Sequence, residues 1–123
     1  MRNILVVDDS PTIRRMVLAS LRGMQGVSFQ EAGTGLEAIE RLALGPVNLM
    51  IVDLNMPDMH GLELLRFVRQ NDRFQNIPVI ILTTKSDEGS RRDAMHAGAT
   101  AYMTKPFEPA RLIEQAKTIL EVQ

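Results

Sequence analysis

The chain has no cysteine, which excludes disulfides, thiolate metal ligands and thiolate nucleophiles and is compatible with a reducing compartment. It also lacks a charge excess. The 14 basic residues stand against 15 acidic ones, a net charge of −1, so nothing favours electrostatic capture of nucleic acid or an anionic membrane. No apolar run approaches the roughly 20 residues of a membrane span. The N-terminal run, Ile4 to Val7, is cut by Asp8 and Asp9 and is too short for the core of a signal peptide. A soluble cytoplasmic protein is expected. Repeats, linkers and low-complexity segments are missing too, and 123 residues suit one domain, 1–123, with a single core.

What the sequence does have is a set of short apolar runs that end on polar residues. The stretch Asn48 to Gly61, NLMIVDLNMPDMHG, reads as a strand, Leu49 to Val52, that ends on Asp53 and breaks into a loop fixed by Pro57 and Gly61. A continuous apolar run without polar alternation is what a strand covered on both faces looks like. Asn3 to Val7 is another such run and ends on Asp8 and Asp9. Val79 to Leu82 delivers Thr83, Thr84 and Lys85. Val27 to Ala32 is a weaker strand, and Ala101 to Thr104 a short last one ending at Lys105-Pro106.

Helical spacing fills the intervals. Ser10-Pro11 reads as an N-cap and first helical residue, followed by Ile13, Met16, Val17 and Leu21 on one face. Leu36, Ile39 and Leu42 mark a second helix, and Leu62, Leu65 and Val68 a third, running to about Asn71. Ser86 to Ala97 is poor in apolar residues, with Ala94, Met95 and Ala97 to pack and Gly98 after its end. It should be the least firmly anchored helix. Pro109 opens the last, with Leu112, Ile113, Ala116, Ile119 and Leu120. Five strands alternating with five helices imply an α/β fold, (βα)5, with a doubly wound parallel five-stranded sheet.

In such sheets the carboxyl ends of the strands are where ligands bind. Four strand ends bring Asp8-Asp9, Asp53, Thr83 and Lys105 there. Singly, each is ordinary: an acid after a strand can be a cap or turn former, Thr83 a loop hydroxyl, Lys105 a solvated charge. Together they differ. Three crowded carboxylates should raise one another's pKa or share a cation. Hard oxygen ligands with room for water suit Mg²⁺, and Mg²⁺ with one lysine balances three carboxylates. A phosphoryl group could then be held by metal, ammonium and hydroxyl while an aspartate oxygen attacks in line. No histidine or cysteine is expected at this edge as a general base, which argues against ordinary hydrolase chemistry.

These motifs, VVDDS, IVDLNMPDMHG, ILTT and GATAYMTKPF, resemble in order and spacing those of the receiver domain of two-component response regulators, especially the stand-alone, CheY-like proteins. The resemblance covers the whole chain and implies the strand order 2-1-3-4-5. It implies that Asp53 accepts a phosphoryl group from the phosphohistidine of a sensor histidine kinase or histidine phosphotransfer domain. Asp9, Asp53 and the Asn55 backbone carbonyl would bind Mg²⁺, with Asp8 holding a metal water. Thr83 would take a phosphoryl oxygen and Lys105 pair with the phosphoryl charge, with Lys105-Pro106 a cis peptide. Tyr102 would swing from exposed to buried as Thr83 moves inward, switching the face made by the fourth helix, fifth strand and fifth helix. A half-buried ring packed on the sheet is the plainer alternative for Tyr102.

Asn55 and Lys85 lie two residues beyond Asp53 and Thr83, where the family tunes access of the attacking water. Lys85 could screen the phosphoryl group or point to solvent. Arg14, Arg15, Arg91 and Arg92 read as solvated helix residues. The expected output is binding of a partner protein by a monomer, in chemotaxis or flagellar-motor control, since the chain ends after its fifth helix without a DNA-binding domain. A relay intermediate, a phosphate sink or a fragment of a larger regulator are the alternatives. No enzymatic turnover beyond its own phosphorylation and dephosphorylation is expected. Haloacid-dehalogenase-like phosphatases need a second acid where Asn55 stands, and an FMN carrier would not have an acidic loop after its first strand.

Overall fold

Apolar runs without polar alternation need cover on both faces, and the computed structural model, which describes residues 1–121, supplies it. Strands and helices alternate strictly: β1 (Arg2–Val7), α1 (Pro11–Leu21), β2 (Val27–Ala32), α2 (Gly35–Leu44), β3 (Leu49–Val52), α3 (Gly61–Gln70), β4 (Val79–Thr83), α4 (Glu88–His96), β5 (Ala101–Thr104) and α5 (Pro109–Leu120). The strands are parallel, in the order β2-β1-β3-β4-β5. The winding therefore reverses between β1 and β3.

Successive side chains of a strand point to opposite faces, and the central strands feed two separate cores. Leu5, Val7, Met50, Val52, Val79 and Ile81 pack with α2, α3 and Ala94 of α4. Ile4, Val6, Leu49, Ile51, Ile80 and Leu82 pack with α1 and α5, through Val17, Leu21, Leu112, Ala116 and Leu120. Helix starts follow their caps. Ser10, Thr34 and Asp87 accept backbone N–H groups of α1, α2 and α4. His60 and Glu63 form a capping box on α3.

Several apolar faces are rotated from those expected. Leu36 is 60% exposed, and the buried stripe of α2 is Gly35, Ala38 and Leu42. One residue along a helix turns about 100°, so burying Gly35 under Met59 leaves Leu36 outside. Met16 and Met95 are likewise largely exposed, and Leu64 joins Leu65 and Val68 inside α3 while Leu62 is only half-buried. The fourth helix starts at Glu88 and not at Ser86, because Asp87 caps it. Its only fully buried residue is Ala94, in line with the weak anchoring expected.

Leu42→Ala should therefore cost about 2–5 kcal/mol in urea unfolding, whereas Leu36→Ala should stay within about 0.5 kcal/mol of the parent. Equal losses would restore the Leu36 face to the core.

Candidate functional site

The register of β1 on β3 pairs Val7 with Val52, so Asp8 and Asp53 emerge side by side at the carboxyl edge. Backbone bonds extend the ladders one step past the strands. Asp53 N–H donates to Val7 O (2.9 Å), Asp8 N–H to Ala32 O (3.0 Å) and Lys105 N–H to Thr83 O (2.8 Å). Carboxylate oxygens of Asp8, Asp9 and Asp53 all lie within 4.8 Å of one another; Asp8 and Asp53 are buried, Asp9 exposed. Lys105 Nζ donates to Asp8 Oδ2 at 2.6 Å and lies 3.6 Å from Asp53 Oδ1. Asp8 Oδ1 accepts the Ser10 N–H (2.9 Å). The Lys105–Pro106 peptide is cis, as the resemblance implied.

Burial, the largest influence, pushes the Asp53 carboxyl above the usual carboxylate range. The Lys105 ammonium opposes that push and the Asp8 carboxylate adds to it, while the Asn55 N–H and the Thr83 hydroxyl oppose it again. Crowding of acids, the cause expected from sequence, acts through Asp8 and is smaller than both burial and the Lys105 charge. Among the described residues, Asp8, Asp9 and Asp53 are the acids gathered for a cation, and their donor atoms are all oxygen.

Residues 4–117 match the family model described as the response regulator receiver domain. The chain belongs to the response regulator receiver family. It is 40% identical over 118 residues to chemotaxis protein CheY1 of Helicobacter pylori, covering 95% of each chain. It is 36% identical to CheY-3 of Vibrio cholerae, over 96% of this chain and 91% of that one. The fold superposes on the crystal structure of a putative response regulator from Chloroflexus aurantiacus with a TM-score of 0.91 at 32% identity, over 98% of each chain.

The remaining site residues of this receiver domain fall as follows. Thr83 is fully buried, and its Oγ1 accepts the Lys85 N–H at 3.4 Å. The Lys85 side chain is exposed, as the solvent alternative had it, but its carbonyl accepts the Tyr102 hydroxyl at 2.6 Å. Tyr102 is thus buried, only 7% exposed, with the Arg91 guanidinium 5.8 Å from its ring centre. Neither an exposed starting position nor a half-buried ring describes it here. Arg91, expected to be a solvated helix residue, is exposed, yet lies over this ring. Arg15 and Arg92 are exposed as expected.

Two residues were misread or missed. Arg14 is not solvated: its side chain is 18% exposed and bonds the Asp8 carbonyl and Glu31. Asp58, in the loop after Asp53, reaches the start of α2, where its two oxygens accept the Gly35 and Leu36 N–H groups, both at 2.9 Å. Nothing in the local pattern could signal a contact between residues 22 and 23 positions apart. Asn55, exposed in the same loop, pairs with His60 in an isolated antiparallel bridge. Gly61 closes the loop. A Cβ there would lie 2.5 Å from Asp53 O and 2.8 Å from Leu54 Cα.

The bonds from Gly35 and Leu36 hold the Asp58 carboxyl below its usual range. A depressed pKa stabilises the fold above the unfolded value, about 3.9, and that stabilisation is lost as pH falls through the folded value. Asp58→Ala should therefore be less stable than the parent near neutrality, with the gap closing as pH drops below about 4. Urea unfolding of both proteins across pH checks this. A gap constant with pH would mean that the bonds contribute nothing through charge.

Proposed function

We propose that this receiver domain takes a phosphoryl group on Asp53 from the phosphohistidine of a sensor histidine kinase or histidine phosphotransfer domain, with Mg²⁺ as cofactor. The carrying observation is the buried Asp53 carboxylate, with Asp8 and Asp9 oxygens within 4.8 Å and the Lys105 ammonium 3.6 Å away. The donor set suits a hard divalent cation. Three carboxylates against one ammonium leave two negative charges, and every donor is oxygen. Asp9, Asp53 and the Asn55 carbonyl would hold Mg²⁺ directly, and Asp8 one of its waters. When bound, the ion supplies positive charge that shields incoming phosphoryl oxygens from the carboxylates.

The chain's own residues do the rest. An Asp53 oxygen attacks phosphorus in line; the P–N bond of the donor breaks, its electron pair returning to the imidazole, and an acyl phosphate forms. Lys105, now held on Asp8, turns to the phosphoryl oxygens, and the Thr83 hydroxyl donates to one of them. The reaction runs once per phosphoryl group, so the domain is a switch and not an enzyme in the turnover sense. Exposed Asn55 and Lys85 sit at the rim, where they tune the lifetime of the acyl phosphate.

Phosphorylation adds about one negative charge, which draws in the loops carrying Thr83 and Lys105 and favours the inward Tyr102. The face of α4, β5 and α5 then binds a partner protein. The chemotaxis relatives at 36–40% identity favour chemotaxis control, and the proposal adds the flagellar motor switch as target, a cytoplasmic location and a monomeric state. A relay or sink without an output face is the competing reading, and a pull-down of phosphorylated and unphosphorylated protein with motor-switch and phosphotransfer proteins separates them.

Acetyl phosphate with Mg²⁺ should add one phosphoryl mass to the intact protein, and nothing to Asp53→Ala or after chelation of the metal. Labelling that survives either change rejects the assignment. Lys85→Ala should alter the decay of the acyl phosphate, followed by mass or radiolabel over time; an unchanged half-life removes Lys85 from rate control.

A further inference from the structure

The first acidic loop is gripped from outside by a residue with no part in the chemistry above. Arg14, one turn into α1, donates from Nη1 to the Asp8 carbonyl (2.6 Å) and from Nε to Glu31 Oε1 (2.9 Å). It is packed as well as bonded. A Cβ on Gly33 would come within 3.3 Å of Nη1, so the glycine leaves the room the guanidinium occupies. The Asp8 carbonyl and the Asp9 N–H belong to one rigid peptide plane, so fixing that oxygen fixes the direction in which Asp9 leaves the strand. Asp8 has further ties, through Ala32, Ser10 and Lys105. Asp9, the exposed member of the acid cluster, depends on the plane that Arg14 holds.

We propose that Arg14 is a positioning residue for the cation site: it orients Asp9 through the Asp8–Asp9 peptide, and Glu31 neutralises its charge so that the brace does not repel the cation. This rests on the reading that Asp9 and Asp53 bind a divalent cation. Geometry and charge can be separated. Arg14→Met alone leaves Glu31 unpaired, and that negative charge would favour a cation, so it masks part of the loss. The double variant Arg14→Met/Glu31→Gln removes the pair without changing net charge. Glu31→Gln alone keeps the bond to Asp8 and leaves the positive charge uncompensated.

Titration calorimetry with MgCl₂ alone tests this. The double variant should bind Mg²⁺ roughly tenfold more weakly, the scale of one lost charge-assisted bond, and added salt should not restore it. Glu31→Gln should lose roughly twofold, recovering as salt screens the repulsion. In labelling by acetyl phosphate, the half-saturating Mg²⁺ of the double variant should rise while the rate at saturating Mg²⁺ stays at the parent's, a split that general loosening of the fold would not give. Arg14→Lys, which keeps charge and much of the packing but cannot make both bonds from a rigid fork, should fall with the double variant; it decides the matter if that variant unfolds. Parent-like Mg²⁺ affinity in Arg14→Lys or in the double variant overturns the proposal and leaves the cation site standing. A parent that binds no Mg²⁺, or binds it equally after Asp9→Asn, overturns both.

Discussion

Negative charge held out of water is the constraint on which this molecule is built. Asp8 and Asp53 are buried side by side because Val7 pairs with Val52 and the chain must leave both strands at the same level. One ammonium, Lys105, lies against both. An ionised carboxylate taken from water is expensive unless paired, and here two buried acids share one such partner, with the exposed Asp9 beside them. The sheet can hold this arrangement because helices on both faces enclose its strands in two cores, while the edge itself stays open. The deficit of positive charge makes the site receptive, and burial, which raises the Asp53 carboxyl most, makes each added charge count for more.

Four loops meet at the edge, after β1, β3, β4 and β5, and they are not tied alike. The loop after β1 is held by Arg14, and the loop after β3 by Asp58 on the start of α2 and by Gly61 against the Asp53 carbonyl. These anchors run to α2 and to the end of β2. The loop after β4 is held through Tyr102, whose hydroxyl reaches the Lys85 carbonyl, and it leads into a helix with Ala94 as its one fully buried residue. Low packing means low local opening free energy. Rigidity therefore lies on the Asp53 side of the site and freedom on the side of α4 and β5, an asymmetry that suits the proposed phosphoacceptor with a movable response.

The fold was legible because its central strands are apolar on both faces, a pattern few other elements imitate, and because Pro11 and Pro109 mark helix starts. The acids, Thr83 and Lys105 followed from it, since each stands at or just past the end of a strand. Errors arose where local pattern meets tertiary register. Leu36, Met16 and Met95 fit a helical period, yet which arc of a helix faces the sheet depends on neighbours such as Met59 over Gly35. Arg14 looked like any surface arginine, because its partners come from the loop after β1, at Asp8, and from β2, at Glu31. The position of Tyr102 was illegible for a different reason: its hydroxyl bonds a backbone carbonyl, and every residue has one of those.

That last contact bears on how the proposed switch is poised. A neutral hydrogen bond nets about 0.5–1.5 kcal/mol, so the bond from Tyr102 to Lys85 biases its loop by about tenfold at most. Turning a two-state equilibrium from one extreme to the other takes about 5.5 kcal/mol. The inward ring therefore cannot by itself commit the output face. The larger share has to come from bonds that a phosphoryl group would make to Thr83 and Lys105, which are charge-assisted and about twice as strong as neutral ones. In the proposed switch the Tyr102 bond and its packing therefore add to those charged bonds without replacing them, and the added charge sets the balance between the two states.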